Sequence, residues 1–490
     1  MPYVMAIDQG SGSSRAFVFD VSPDGVLSTV GSASQPVESQ FPAERSVEHD
    51  AEELFETCRE SAEAALDSAG LAWSDLAGIG VTGQTETIVA WDRETGEPAA
   101  PAISWRDQRP GATDVVDALE GEQQQVFTER TGLPIAPTWS APKIRWMLDG
   151  GNEDVAALAR LDRLALGDVA SWVVHRLSGR AEHVTEPSFA SRWGLMDLAT
   201  QQWDPELAAM FAIPPAALPA IRPSDALGAR VAEGLAVGGA PIIGALGDQQ
   251  AALYGHGGRR SGQTKITMGT GAFLWANAGA VAPEAFAGLV ATCAWAPQDR
   301  ETAYALEGFL PNAGAVVSWL RSLGLLAHDA WPELDEAALR DRAMRALPAI
   351  AGLGTPYWAP DATAVFEGMD SGTTPGQIVD ACIVGTVHLI ADAIDSIASA
   401  VEPDTILLDG GMSQNDSIAQ ALADLTGATI SRSSEEATGV GIALLTAHAL
   451  GIVPPEAGSV EHDATFHPRL PTSERESIRE HWQAFVERVL

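Results

Sequence analysis

Short apolar runs recur along this chain and break, one after another, into polar turns. Tyr3-Val4-Met5-Ala6-Ile7 leads into Asp8-Gln9-Gly10-Ser11-Gly12-Ser13-Ser14-Arg15, and a second run, residues 16–19, follows at once. Runs this short, bounded by turn residues, predict strands. Residues 79–83 and 87–91 predict a further pair of strands around Gln84-Thr85-Glu86. Residues 50–71 predict a helix with acidic residues in its first turn, where the macrodipole favours them. Residues 168–177 predict a second helix, and the Pro-rich stretch 213–223 an irregular connection.

Near residue 250 the pattern restarts. The run 240–246 ends in Gly247-Asp248-Gln249-Gln250, which opens a helix through Leu253. Residues 265–268, Gly269-Thr270-Gly271 and residues 272–276 then repeat the opening order of strand, glycine-rich turn and strand. Residues 405–408 predict a buried strand ending in Asp409-Gly410-Gly411, with helices near 414–426 and 438–450. Two halves with a common opening suggest a duplicated α/β unit, divided between about residue 250 and residue 262. No apolar run reaches the ~18 residues of a membrane span. No basic segment precedes an apolar stretch near residue 1, so neither membrane insertion nor secretion is expected.

A chain of 490 residues, 46% hydrophobic and 19% charged, has the make-up of an ordinary globular protein with two or more large domains. Its net charge of -37 argues against sequence-independent nucleic-acid binding, which depends on basic surface. Lysine occurs only at Lys143 and Lys265, and Arg carries the remaining positive charge. The acidity suits adaptation to high salt or, more simply, a well-solvated surface. Cys58, Cys293 and Cys382 lie far apart without metal-type spacing, which fits a reducing cytoplasm.

The polar turns lie at the carboxyl ends of apolar strands, where open α/β sheets bind ligands. Backbone N–H groups and hydroxyls in a Gly/Ser turn suit phosphate oxygens, and Asp8 suits a hydrated Mg²⁺. If the two halves face each other, Ser11-Gly12-Ser13 and Gly269-Thr270-Gly271 clamp a polyphosphate from opposite sides. Phosphoryl transfer then needs a base for the attacking hydroxyl, and Asp248 is the candidate. Each feature alone has a plainer explanation. Gly and Ser make tight hairpins, an Asp at a helix start is an N-cap, and Gly410-Gly411 meets a backbone need.

Taken together, the residues resemble the FGGY family of carbohydrate kinases almost end to end, and its glycerol-phosphorylating branch most. The resemblance rests on Ala6-Ile7-Asp8-Gln9-Gly10 with Ser13-Ser14-Arg15, on Trp91-Asp92-Arg93-Glu94-Thr95-Gly96, Trp105-Arg106-Asp107 and Thr131-Gly132-Leu133-Pro134, and on Trp203-Asp204-Pro205-Glu206-Leu207. It continues through Gly247 to Leu253, Gly269-Thr270-Gly271, Tyr304-Ala305-Leu306-Glu307-Gly308, Gly352 to Trp358, and Asp409-Gly410-Gly411 with Asn415.

This resemblance implies two actin-like (ribonuclease H-type) domains, 1–253 and 254–490, with the active site in the cleft between them. It implies ATP as donor, Mg²⁺, a small polyol or sugar as acceptor, and a homodimer or homotetramer. Carried over by position, Asp8 serves the metal, and Ser11, Gly12, Ser13 and Arg15 contact the nucleotide phosphates. Thr270 holds phosphate from the second domain, and Gly314, Ser318, Gly411 and Asn415 line the nucleotide site. Asp248 is the base, with Gln249 beside it on the acceptor. Glu86, Trp105 and Phe273 complete the acceptor pocket.

The departures bear on the acceptor. Thr85 stands where the glycerol-acting members have Arg, and Thr138, followed by Trp139, where they have Tyr. Losing a charged donor to a substrate hydroxyl costs about 1.5–3 kcal/mol unless something replaces it. The emptied pocket has room for a longer acceptor whose extra hydroxyls bond the two Thr side chains. Gly12 replaces a second Thr, Ser318 a Gln, and Phe189 an Asn. Gly238-Gly239-Ala240-Pro241 lacks the Arg of members regulated by fructose 1,6-bisphosphate, so that control is not expected. Glycerol is the first expectation for the acceptor, and a tetritol, pentitol or ketopentose the second. A non-catalytic nucleotide-dependent regulatory protein is a third reading, opposed by Asp8, Asp248 and Thr270.

Overall fold

A computed structural model describes residues 2–235, 239–284, 288–328, 331–334, 336–340, 344–403 and 405–490. Gly238, in the stretch that lacks the regulatory Arg, lies outside them. The first sheet is built from β1 (Tyr3–Gln9), β2 (Ser13–Val21), β3 (Leu27–Pro36), β4 (Leu76–Gly83), β5 (Ala229–Arg230) and β6 (Pro241–Gly247). Its order is β5-β6-β4-β1-β2-β3, with β1, β4 and β6 parallel and the other pairings antiparallel. The second sheet comprises β7 (Thr264–Met268), β8 (Ala272–Gly279), β9 (Val290–Trp295), β10 (Ala303–Leu310), β11 (Thr405–Asp409), β12 (Thr429–Arg432) and β13 (Ala464–Phe466). Its order is β9-β10-β8-β7-β11-β12-β13, with β7, β11 and β12 parallel. Apart from the edge strands β9, β5 and β13, the second order repeats the first, three antiparallel-linked strands followed by two parallel ones. This is the duplicated actin-like, ribonuclease H-type pattern.

The helices used below are α1 (Ala51–Ala69), α2 (Ser140–Trp146), α3 (Val169–Leu177), α4 (Pro187–Ala190), α5 (Asp248–Gly255), α6 (Gly314–Ser322), α7 (Pro375–Ala398), α8 (Asp416–Thr426) and α9 (Ala437–Ala449). α1 starts where Asp50 Oδ1 accepts the amides of Glu52 and Glu53, and stops at Gly70 in the left-handed region. β1 is a continuous apolar run because both its faces are covered. Met5 and Ile7 pack in one core with α1 and α3, and Val4 and Ala6 in another with α5 and α9.

α9 lies late in the sequence yet packs against the first sheet. A β-carbon on Gly80 of β4 would fall 2.5 Å from Thr446 Oγ1 and 2.6 Å from Ile442 Cγ1, both on α9. α5 and α9 meet backbone to backbone. A β-carbon on Gly441 would sit 1.8 Å from the Ala251 carbonyl oxygen, and one on Gly255 2.1 Å from that of Ala437.

One helix bears on the expectation that no apolar run is long enough to span a membrane. α7 has 24 residues and a window of mean hydropathy 1.5, long and apolar enough by composition to cross a membrane. Polar residues such as Thr386, His388 and Asp392 interrupt its apolar stretches and hide the helix from a search for continuous runs. In the fold 72% of that window is buried, within the second core. Asp392 is met there by Arg479, Trp482 Nε1 at 2.7 Å and the Tyr357 hydroxyl at 2.7 Å.

The crossing of α5 and α9 yields a stability prediction. Gly441→Ala should destabilise the protein by about 1–3 kcal/mol, because backbone must shift to admit the methyl. Gly121→Ala, where a β-carbon meets nothing within 4 Å, should be neutral or stabilising in urea denaturation.

Candidate active site

Gln9 pairs with Gly83, and Gly83 with Gly247, so β1, β4 and β6 end level. Their three following turns therefore open at one place. The Gln84 amide donates to the Gln9 carbonyl at 2.9 Å and its side-chain nitrogen to Gln9 Oε1 at 2.9 Å. Thr87 Oγ1 donates to Gln84 Oε1 at 2.9 Å and accepts the Trp105 amide at 3.0 Å. A polar chain thus runs from the first turn to the aromatic side of the site. The first turn is a hairpin, closed by the Gly10 amide on the Ser13 carbonyl at 3.0 Å, and it still presents Ser11, Gly12 and Ser13 to solvent. Nothing lies within 4 Å of a β-carbon placed on Gly12.

Asp8 is buried, and Arg15 Nη2 donates to its Oδ2 at 2.6 Å. Burial pushes the Asp8 acid up to about 6, opposed by Arg15 and reinforced by Glu436. Arg15 also lies 3.4 Å from Glu436, which caps α9. Asp248 opens α5, and its Oδ1 accepts the Gln249 amide at 2.7 Å. Burial pushes Asp248 up to about 7, and the charges of Asp8 and Glu86 add to the shift.

Two crowded carboxylates held above their ordinary range are a site that a cation relieves, and hard oxygen donors suit Mg²⁺. Among the described residues no group of three or more His, Cys, Asp or Glu side chains forms a metal cluster. A cation at Asp8 would thus draw its remaining ligands from phosphate and water.

In the turn after β4, Glu86 adopts φ 59°, rare for a residue with a side chain. Its carbonyl accepts Ser140 Oγ and Lys143 Nζ, each at 3.3 Å, and Lys143 also donates to the Ser104 carbonyl at 2.9 Å. Both donors come from α2. Lys143 is fully buried, and desolvation lowers its ammonium to about 7 against the pull of Glu86 and Asp107.

The Glu86 carboxylate is equally well held. Arg192 Nε donates to Oε1 at 2.5 Å and Thr85 Oγ1 to Oε2 at 2.7 Å. Arg192 Nη2 lies 2.7 Å from Glu307 of β10, and its guanidinium sits over the rings of Trp139 and Trp275. Thr138 Oγ1 donates to the Trp105 carbonyl at 3.0 Å. Both threonine protons expected to serve a longer acceptor are therefore committed within the protein. Phe273 packs on Phe309, ring centroids 4.9 Å apart, and Gln249 Oε1 accepts Lys265 Nζ at 2.8 Å.

In the second half, Thr267 pairs with Asp409, which places the Gly269–Gly271 turn beside Gly410-Gly411. The Gly269 and Thr270 carbonyls accept the Gly314 and Ala315 amides at the start of α6, both at 2.9 Å. A β-carbon on Gly314 would lie 2.5 Å from the Gly269 carbonyl oxygen, and one on Gly410, at φ 90°, 2.6 Å from that of Met268. Thr270, Ser318 and Gly411 are exposed. Asn415 acts as a structural cap, its Oδ1 accepting the Ser417 and Ile418 amides at 2.9 and 3.2 Å and its Nδ2 donating to the Pro332 carbonyl at 2.6 Å.

Asp8, Ser11, Gly12, Ser13, Arg15, Thr85, Glu86, Asp248 and Gln249 thus gather at the end of the first sheet. Gly269, Thr270, Gly271, Gly314 and Gly411 gather at the corresponding end of the second. The bridges between the two groups, Arg192–Glu307 and Lys265–Gln249, were not anticipated from sequence as site contacts. A signal for the lysines existed. In a chain that uses Arg almost everywhere, both lysines are interior and both touch this site.

Residues 3–255 match the N-terminal domain of the FGGY family of carbohydrate kinases, and residues 264–450 its C-terminal domain. A glycerol kinase of Alkalilimnicola ehrlichii is 39% identical over 494 residues, covering 100% of this chain and 98% of that protein. One of Rhodospirillum rubrum is 37% identical over 499 residues, covering 100% and 99%. The crystal structure of Plasmodium falciparum glycerol kinase with ADP superposes with a TM-score of 0.89 at 26% identity, covering 100% of this chain and 98% of that one. A xylulose kinase structure from Rhodospirillum rubrum shares the fold, with a TM-score of 0.84 at 21% identity over 99% of this chain and 98% of that one. With duplicated sheets, converging turns and both domain matches in agreement, the chain belongs to the FGGY family of carbohydrate kinases.

Proposed function

We propose that this protein transfers the γ-phosphoryl group of ATP to a hydroxyl of a small neutral polyol, with glycerol as the first acceptor. The observation that carries the reading is the level ending of β1, β4 and β6, which brings Asp8, Glu86 and Asp248 to one place. Asp248 takes the proton from the attacking hydroxyl. A carboxylate whose acid sits near 7 is a stronger base than an ordinary Asp, and about half of it is still ionised at neutral pH. Glu86 and Gln249 accept and donate hydrogen bonds to acceptor hydroxyls, and Trp105 and Phe273 pack on the carbon skeleton. Ser11, Gly12, Ser13 and Thr270 cradle phosphate, and Arg15 is poised to exchange Asp8 for a phosphate oxygen. Asp8 would hold Mg²⁺, whose chemistry when bound is to offset charge on the phosphate oxygens. Full-length identity of 36–39% to proteins named glycerol kinase supports the choice of acceptor.

The second reading, a four- or five-carbon polyol or ketose, starts from Thr85 and Thr138. Both hydroxyl protons are engaged, so the two threonines offer a longer acceptor only lone pairs, and Arg192 brings a guanidinium onto Glu86. An acceptor panel in a coupled ADP-release assay separates the two. Glycerol should give a kcat/KM at least about tenfold above erythritol, ribitol, xylitol and xylulose, a gap of about 1.4 kcal/mol. The reverse order would assign the longer acceptor.

Asp248→Asn should lower kcat by about a thousandfold or more while leaving ATP affinity by calorimetry within about threefold. Retained turnover would remove Asp248 from the base role. Gly12→Thr, whose side chain enters open space, should lower the KM for ATP several-fold if the turn cradles phosphate. An unchanged KM would mean that backbone amides alone serve there.

A further inference from the structure

Glu186 is fully buried and belongs to none of the motifs used above. It caps α4, its Oε2 accepting the Ser188 amide at 3.0 Å and its Oε1 the Phe189 amide at 2.9 Å. An N-cap needs no more than that. Two hydroxyls nevertheless donate to the same carboxylate, Ser188 Oγ to Oε1 and Ser224 Oγ to Oε2, the latter at 2.5 Å.

Each hydroxyl has one proton, so giving it to Glu186 leaves only lone pairs for a second partner. Those lone pairs take two backbone amides from distant parts of the fold. Ser188 Oγ accepts the Gly247 amide at 2.9 Å, and Ser224 Oγ accepts the Ala296 amide at 2.9 Å. Gly247 ends β6 and immediately precedes Asp248, and Ala296 immediately follows β9 of the second sheet. The Ser188 carbonyl also accepts Gln250 Nε2 of α5 at 3.3 Å. α4 is thus tied to the catalytic turn from both its side chain and its backbone.

We infer that Glu186 is a positioning residue for phosphoryl transfer, acting through Ser188 to fix the Gly247 amide and so the carboxylate of Asp248. Its second arm, through Ser224, anchors the same carboxylate to the second sheet. The inference rests on Asp248 being the base. The donor set explains why an amide cannot substitute. In Glu186→Gln, one orientation sets the side-chain NH₂ against the Phe189 N–H, and the other sets it against the Ser188 N–H. Burial raises the Glu186 acid to about 7, and the Ser188 and Ser224 hydroxyls and both amides hold it from rising further.

The test compares Glu186→Gln, Glu186→Asp, Ser188→Ala, Ser224→Ala and Asp248→Asn by steady-state kinetics with ATP and glycerol, and by amide hydrogen exchange at Gly247. Ser188→Ala leaves Glu186 and its cap of α4 in place, so it carries the test if Glu186→Gln fails to fold. Glu186→Gln and Ser188→Ala should each lower kcat by about tenfold or more, keep the KM for ATP within about threefold, and speed Gly247 exchange by about tenfold. Glu186→Asp, which keeps the charge, should recover part of kcat. Ser224→Ala removes the arm to Ala296 and one donor to Glu186 but leaves the Ser188–Gly247 tie, so it should keep kcat within about threefold. Unchanged kcat and unchanged Gly247 exchange in Glu186→Gln and Ser188→Ala overturn the inference. An equal loss of kcat in Ser224→Ala overturns it too, because it would show general weakening. If Asp248→Asn retains turnover while Gly247 exchange responds to Glu186, the base assignment falls and the hold on the turn stands. If Asp248→Asn is inactive and the Glu186 and Ser188 variants are unaffected, only the positioning role falls.

Discussion

Three carboxylates, Asp8, Glu86 and Asp248, sit at the level ends of three adjacent strands, and the site is organised around making that crowding tolerable. Removing a charge from water costs several kcal/mol unless a partner compensates. Here each carboxylate has a cation close by. Arg15 contacts Asp8, Arg192 contacts Glu86, and Lys265 acts on Asp248 through the field and on Gln249 directly. The compensation for Asp248 is incomplete, which leaves its acid at about 7. A residue in that state is suited to accept a proton at neutral pH.

The same cations join the two halves of the chain. Arg192 reaches Glu307 on β10, Lys265 itself lies on β7, and Arg15 approaches Glu436 at the start of α9. Electrostatic compensation at Glu86 and Asp248 therefore depends on the second half of the chain being in place. α9 reinforces the link by packing on the first sheet and crossing α5 through Gly441 and Gly255. The strand-end turns, Asp248 and Glu86 are thus parts of one assembly of coupled charges. Arg192 brings a guanidinium onto Glu86, whereas Thr85 supplies a hydroxyl to the same carboxylate.

Much of this was legible in the sequence. The strand–turn–strand openings near residues 3–19 and 264–276 stand where expected, because short apolar runs bounded by Gly and Ser have few other local solutions. The predicted helix over 50–71 forms as Ala51–Ala69 between Asp50 and Gly70, since its cap residues are explicit. α7 was not legible, because buried polar residues break its hydrophobic run and are satisfied only in the tertiary fold. Nor was the packing of α9 on the first sheet, which depends on glycines far away in the chain. Within the site, turn residues could be named because glycines and hydroxyls advertise phosphate chemistry. Arg192, Lys143 and Glu186 could not, because their roles come from partners dozens of residues distant. The substitutions at 85 and 138 suggested two free hydroxyls, whereas Thr85 and Thr138 spend their protons on Glu86 and the Trp105 carbonyl.

Asp248 lies in the shared field of buried neighbouring acids. The direct measurement is a carboxyl-carbon NMR titration of Asp248 in the magnesium-free protein, repeated in Asp8→Asn. The midpoint should lie near 7 and move to lower pH when the Asp8 charge is removed. A midpoint near the ordinary Asp value of about 4, or one that Asp8→Asn leaves in place, would contradict it.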